Sequence, residues 1–189
     1  MAEGWNGQHN IFGELIEKIR PTTIIEVGSW HGQSAITMAK AVKDLGLSTK
    51  IYCVDTWLGA LEFMGDHNDA SRDLQRKDGY PQVYYTFLEN IRAEGVADII
   101  IPIPQTSLIA ARWFKQQGIT AELIYLDASH DAEDVELDVK NYLPICTNTL
   151  FGDDYLNQQF TVKDGVLAVL PEESISVVDK NFWVWTTQA

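Results

Sequence analysis

The stretch Ile24-Ile25-Glu26-Val27-Gly28-Ser29-Trp30-His31-Gly32-Gln33-Ser34 decides how the chain is read. An apolar run leads into a turn bearing two glycines, and the pattern then becomes helical. Such a turn lets the backbone approach a ligand closely, and the first amides of the helix point unsatisfied N–H groups at it. The spacing is Glu-x-Gly-x-x-x-Gly, with Trp30 between the glycines, so it departs from the Gly-x-Gly-x-x-Gly of dinucleotide enzymes. A second apolar run, over 50–54, ends in Asp55, where a carboxylate can accept both hydroxyls of a ribose. Each feature alone has an ordinary explanation, since strand–turn–helix units use glycine and an aspartate at a strand tip caps turns. Both fall on one edge of a sheet, and ligands of open α/β sheets sit outside the carboxyl ends of the strands. Together they point to a cofactor containing adenosine.

Outward from that stretch, β-rich runs alternate with helical ones. The pattern predicts strands over 22–27, 51–54, 99–102 and 123–126 and helices over 34–45, 82–93, 108–117 and 132–143, after an N-terminal extension and helix within 1–20. The strands are near-continuous apolar runs, as in Ile99-Ile100-Ile101 and Leu123-Ile124-Tyr125-Leu126, which fits a parallel sheet covered by helices on both faces. Beyond Leu143 come a strand through 149–151, a helix near 160–170, and two runs, 174–178 and 182–186, separated only by Asp179-Lys180-Asn181. A connection that short cannot make a parallel crossover, so it is a hairpin. The expected fold is α/β, with seven strands, mostly parallel, and an antiparallel last strand.

Composition narrows the class further. A chain of 189 residues with 46% hydrophobic content fits one domain, 1–189, with a core between two helical layers. Fourteen basic against 27 acidic residues give a formal charge of -13, which repels a phosphate backbone or an anionic membrane surface, so no nucleic acid or membrane partner is expected. Residues 1–10 lack the charged-then-apolar pattern of a signal peptide and no apolar run approaches ~20 residues, so a cytoplasmic location is expected. Cys53 and Cys146 read as small buried hydrophobes, not a disulfide pair.

One connection is unusually long. Residues 56–81 carry Trp57, Phe63, Met64, His67 and Tyr80 among many charges, and loops beyond about 12–15 residues usually carry function or hide an element. Its apolar anchors are expected to close over an acceptor or to supply part of a contact with a second copy in a homo-oligomer; a bland surface helix around 70–76 is the alternative.

Three carboxylates gather on the same sheet edge: Asp127 after one strand, Asp153 and Asp154 after the next. Uncompensated, they repel one another and raise each other's pKa values, a conflict that a hard divalent cation resolves; oxygen-only ligands favour magnesium, calcium or manganese. The ordinary alternative is that they cap turns and face water. His130, three residues after Asp127, can share that pocket, and an imidazole titrates near neutral pH. The run Asp131, Glu133, Asp134, Glu136 and Asp138 reads as a helix amino terminus and a solvated face, with Glu136 and Lys140 at pairing distance.

On Glu26-x-Gly28-x-x-x-Gly32, Asp55, Leu126-Asp127 and the antiparallel last strand, the chain resembles the class I S-adenosylmethionine-dependent methyltransferases, with their Rossmann-like fold, over nearly its whole length. Val54-Asp55-Thr56-Trp57-Leu58-Gly59 and Tyr125-Leu126-Asp127-Ala128-Ser129-His130-Asp131 look like the family 24 group related to macrocin O-methyltransferase. The resemblance implies S-adenosylmethionine as cofactor. Its methionine part would lie at Glu26, Gly28 and Ser29, with Gly32 and Ser34 in the same turn, its ribose at Asp55, and its adenine near Trp57 and Gln105-Thr106-Ser107; Asp127 would border it. Pro104-Gln105 stands where many relatives carry an acidic residue. The resemblance also implies a magnesium-type cation on Asp127, Asp153 and Asp154, with His130 and Asp127 as catalytic residues and His130 as base. The expected reaction is O-methylation of a hydroxylated small molecule such as a sugar or glycosylated metabolite. Metal-independent methyl transfer, non-catalytic nucleoside binding and, less in keeping with the missing Gly-x-Gly-x-x-Gly, nicotinamide oxidoreduction are the alternatives.

Overall fold

A computed structural model describes residues 6–60, 63 and 74–187. Helix α1 (Ile11–Ile19) precedes strand β1 (Thr23–Val27), α2 (Gln33–Asp44), β2 (Lys50–Asp55), α3 (Val83–Ala93), β3 (Ile100–Pro104), α4 (Ser107–Gln117), β4 (Ala121–Leu126), α5 (Ala132–Tyr142), β5 (Cys146–Gly152), α6 (Val162–Leu167), β6 (Ile175–Val178) and β7 (Phe182–Thr186). The sheet order is β3-β2-β1-β4-β5-β7-β6. Strands β1 to β5 pair in parallel, while β7 runs antiparallel to both neighbours, β5 and β6. The hairpin forced by the short 179–181 connection therefore inserts its second strand beside β5.

Side-chain alternation divides the core into two layers. Ile24, Ile51, Leu123 and Tyr125 face α1, α2 and α3, packing with Phe12, Ile16, Met38 and Phe87. Ile25, Val54, Ile124 and Leu126 point the other way, to α4, α5 and α6, packing with Phe114, Val139 and Val166. The period of two in a strand sends adjacent residues to opposite faces, so the near-continuous apolar runs fill both layers. Phe12, fully buried, meets Tyr125 edge-on at 5.1 Å, and its truncation to alanine should cost about 3–5 kcal/mol.

Boundaries differ where proline or short length misleads. Strand β3 runs two residues beyond the expected 99–102, through Pro102 and Pro104. As an edge strand bonded only to β2, it does not need every amide. Helix α6 is shorter than the expected 160–170, running from Val162 to Leu167. Both cysteines are buried free thiols. Among the described residues no helix is long and apolar enough to cross a membrane. Residues 61–62 and 64–73 of the 56–81 connection, Met64 and His67 among them, lie outside the described residues. Of its anchors, Phe63 is buried and stacks on Trp30 at 4.7 Å, whereas Tyr80 is exposed.

Candidate active site

The turn after β1 is shaped by close packing. Gly28 has φ +88°, and a Cβ there would stand 1.9 Å from the Asp127 carbonyl oxygen, so only glycine lets this turn lie against the end of β4. Gly32, also at φ +88°, opens α2 against the Phe87 ring. Beneath the turn, Glu26 is fully buried. Hydroxyls of Ser29 and Ser34 each donate to its carboxylate at 2.5 Å. Burial pushes Glu26 up to about 7, although these donors and the Cys53 thiol pull the other way; the charge of Asp127 adds to the rise. Ser29 and Ser34 are thus committed to Glu26.

Asp55 holds the same turn from the next strand. One carboxylate oxygen accepts the amides of Ser29 and Trp30, both at 2.9 Å, and the other accepts the Trp57 amide at 2.7 Å. Burial raises its pKa while these amides oppose the rise. Trp30 and Trp57 both have positive φ, 44° and 53°, a costly backbone for non-glycine residues; the carboxylate bonds help to offset that strain. A carboxylate has about four lone-pair sites, and three are taken. Asp55, expected at the ribose, thus also holds the turn.

Trp57 is the aromatic expected beside the adenine. It lies in the core, tilted against Tyr84 and Phe87 at 4.8 and 4.9 Å, with its indole N–H donated to the Trp30 carbonyl at 2.8 Å. Gln105 and Thr106 are exposed at the start of α4, where the Thr106 hydroxyl caps the helix by accepting the Ile109 amide. Ser107 is half-buried, and its hydroxyl donates to Asp138 of α5.

The acidic end is built differently. The loop after β4 continues the ladder, with the Asp127 amide donating to the Val27 carbonyl at 2.8 Å. It is tied to the start of α6, since the Thr161 amide donates to the His130 carbonyl at 3.0 Å and the Thr161 hydroxyl accepts the Ala132 amide. These bonds bring Asp127, His130 and Asp153 together, with one ligand atom from each lying within 4.8 Å of the others. His130 Nε2 stands 3.2 Å from Asp154 and 3.6 Å from Asp127, while its ring stacks on Phe160. Asp154 also accepts from the Asn157 amide group, and the Tyr125 hydroxyl donates to Asp127 at 3.0 Å.

Charge follows from this geometry. Asp153 is almost fully buried, and burial together with the charge and hydrogen bond of Asp127 raises its pKa well above the usual carboxylate range. Burial works against a charged His130, but hydrogen bonds and charges from Asp127 and Asp154 outweigh it and push the imidazole up to about 10. Asp154 is held low despite burial by its bonds with His130 and Asn157. These carboxylates hold His130 toward the imidazolium, and the second one beside it is Asp154, while Asp131 is exposed. The compact donor set joins His130 to Asp127 and Asp153, with Asp154 at 3.2 Å from the imidazole. Two carboxylates and an imidazole fit a divalent cation, with the nitrogen shifting preference from magnesium and calcium toward manganese, cobalt or zinc.

Two contributors escaped the sequence reading. Tyr125 shares the Asp127 face by the two-residue alternation of a strand, a signal that was available. Asp138 follows Val135 by three residues and precedes Tyr142 by four, which puts it on the inner stripe of α5, so it is half-buried and not on a solvated face. The Glu136–Lys140 pair forms on the outside as expected.

A parallel sheet with one reversed strand, a buried glutamate under a glycine turn and an acidic cluster at the next strand tips define a Rossmann-like methyltransferase. Over residues 25–155 the chain matches the family described as methyltransferase domain. It belongs to that family. The fold is similar to that of the O-methyltransferase from Bacillus cereus in complex with SAH (TM-score 0.66, 13% identity, covering 99% of this chain and 83% of that one). It is also similar to the O-methyltransferase NovP (0.68, 17%, 97% and 80%). A third similar structure is the O-methyltransferase TomG from Streptomyces achromogenes in complex with SAM (0.62, 14%, 99% and 82%). By sequence it is 27% identical over 141 residues to the protein y4gI of Sinorhizobium fredii, matching 72% of this chain but 13% of that protein's length.

Proposed function

We propose that this domain transfers the methyl group of S-adenosylmethionine to a hydroxyl of a small molecule, such as a sugar or glycosylated metabolite, with the help of a divalent cation. The observation that carries the reading is the convergence of Asp127, His130 and Asp153 beside the Gly28 turn. O-methyltransferases among the similar structures support the choice of oxygen as acceptor. Glu26, Ser29 and Gly28 hold the methionine end and Asp55 fixes the turn while offering its remaining lone pair to the ribose. Asp127, Asp153 and Asp154 would hold the cation, which on binding eases loss of the acceptor hydroxyl's proton. His130 gives up its own proton once the charge of these carboxylates is offset, and its Nε2 then receives the proton leaving the hydroxyl. The oxygen forms its bond to the methyl carbon as the carbon–sulfur bond breaks, leaving a neutral thioether.

A metal-independent reaction is favoured by one specific observation, since the His130 imidazolium already pairs with Asp127 and Asp154. The deciding experiment supplies labelled S-adenosylmethionine with panels of sugars, sugar nucleotides and phenols and identifies labelled products by mass spectrometry. Label on an oxygen of one acceptor class is expected. Label on nitrogen, or none on any acceptor while cofactor binds, overturns the O-methyl reading.

A further inference from the structure

Asp127 and Asp154 each divide their two carboxylate oxygens between a neutral donor and the His130 imidazole. For Asp127, Oδ2 accepts the Tyr125 hydroxyl at 3.0 Å and Oδ1 stands 3.6 Å from Nε2 of His130. For Asp154, Oδ1 accepts the Asn157 side-chain amide at 3.0 Å and Oδ2 stands 3.2 Å from the same nitrogen. The donor for Asp154 comes from its own loop, three residues on. The donor for Asp127 comes from inside the core. Tyr125 is fully buried in β4, its ring edge-on to Phe12 of α1 at 5.1 Å and tilted against Phe151 of β5 at 4.8 Å. The Asp127 amide continues the ladder to the Val27 carbonyl, so the two-residue alternation of β4 carries past Leu126 and puts Tyr125 and Asp127 on one face.

Resting on the cation-assisted reading above, we infer that Tyr125 is a positioning residue, whose hydroxyl fixes the Asp127 carboxylate so that Oδ1 is presented to the divalent cation. The terminal torsion of an aspartate is broad, so rotamer preference alone does not lock its carboxylate. Left to rotate, the group would turn both oxygens toward His130, which competes with a cation for the same negative charge. A carboxylate only accepts, so the phenol is the donor, and it engages Oδ2 from within the fold. The direction of that bond is set by a ring that two aromatic neighbours hold in place. Asp127 is therefore ordered before a cation arrives, and a ligand carboxylate ordered by a hydrogen bond holds its metal more tightly. Only the hydroxyl has this task, because the ring by itself makes the contacts with Phe12 and Phe151.

The test is Mn²⁺ binding to the full chain with S-adenosylhomocysteine present, followed by loss of the free-ion EPR signal. Tyr125→Phe keeps the ring and removes the oxygen. It should bind Mn²⁺ roughly ten- to a hundred-fold more weakly than the wild type while melting normally without metal. A packing role for Tyr125 leaves the Mn²⁺ affinity of the variant at the wild-type value, and that outcome overturns the proposal. Should the variant not fold, the wild type decides with the diamagnetic ion Zn²⁺. The Tyr125 Cζ resonance in NMR should then move as the ion binds, and a resonance that stays in place with Zn²⁺ bound overturns the proposal as well. Binding of neither ion by the wild type instead removes the cation-assisted reading itself.

Discussion

The carboxylates of the glycine turn and those of the acidic cluster are both buried at strand ends, yet they are held in opposite ways. Glu26 and Asp55 are surrounded by neutral donors: two hydroxyls and a thiol for the one, three backbone amides for the other. Asp127, Asp153 and Asp154 face one another, and the cation beside them is His130. Neutral dipoles satisfy a carboxylate without demanding a further ligand, so the turn is shaped in advance. Mutual repulsion among carboxylates is relieved only by a proton or a cation, so the second region is built to take up positive charge.

The largest expected effect breaks that contrast at the acidic end. Turnover should vanish in EDTA and return with a divalent cation, and Asp153→Asn should stay inactive in its presence. Undiminished turnover in chelator would instead leave the imidazolium as the cluster's own counter-ion and make the reaction metal-independent. The choice of restoring metal sharpens the point. Rescue by magnesium fits the oxygen set Asp127, Asp153 and Asp154, while rescue by zinc or cobalt alone makes His130 a ligand and removes it as base.

His130→Ala should lower kcat by roughly 10²–10⁴ while cofactor affinity barely changes. The high pKa of this imidazole, caused by Asp127 and Asp154, means that it binds its proton across neutral pH. Added cation should therefore move the acidic limb of the pH–rate profile to lower pH, and the alanine variant should lack that limb. Retention of both rate and limb in the variant excludes His130 as the proton acceptor.

At the turn, the expected signature is in stability. Burial pushes folded Glu26 up to about 7, against the ordinary 4.5 of a glutamate in water. Between those values the folded chain holds a proton that the unfolded chain has lost, so stability falls as pH rises from about 4.5 through 7. Glu26→Gln should remove roughly 3 kcal/mol of that pH dependence, read as a smaller difference between melting temperatures at pH 5 and pH 8. An unchanged difference would mean that Glu26 ionises in the folded protein as it does in water.

The smallest expected effect concerns Asp55. Asp55→Asn keeps one acceptor oxygen and should weaken cofactor binding about ten-fold. Hydrogen exchange at the Ser29 and Trp30 amides should quicken in the free protein, because one oxygen of Asp55 holds both. Weaker binding with unchanged exchange would assign Asp55 to the ribose alone.

Much of this organisation is legible along the chain because it depends on local chemistry. Apolar runs covered on both faces, a turn too short for a crossover at 179–181, and glycines at 28 and 32 follow from strand period, connection length and backbone freedom. Strand polarity likewise brings the tips carrying Glu26, Asp55, Asp127 and Asp153 to one edge. Residue type could not say where those side chains spend their hydrogen bonds. Asp55 turns to three amides, Trp57 goes into the core, His130 pairs with Asp154, and Asp138 faces Ser107, because each choice is made by a partner on another element. The sequence alone determines the sheet, its reversed strand and the acidic edge, since these rest on periodicity and chain reach. Tertiary structure alone decides which carboxylates are satisfied by neutral donors and which are left to share a charge, since burial and distance set that balance.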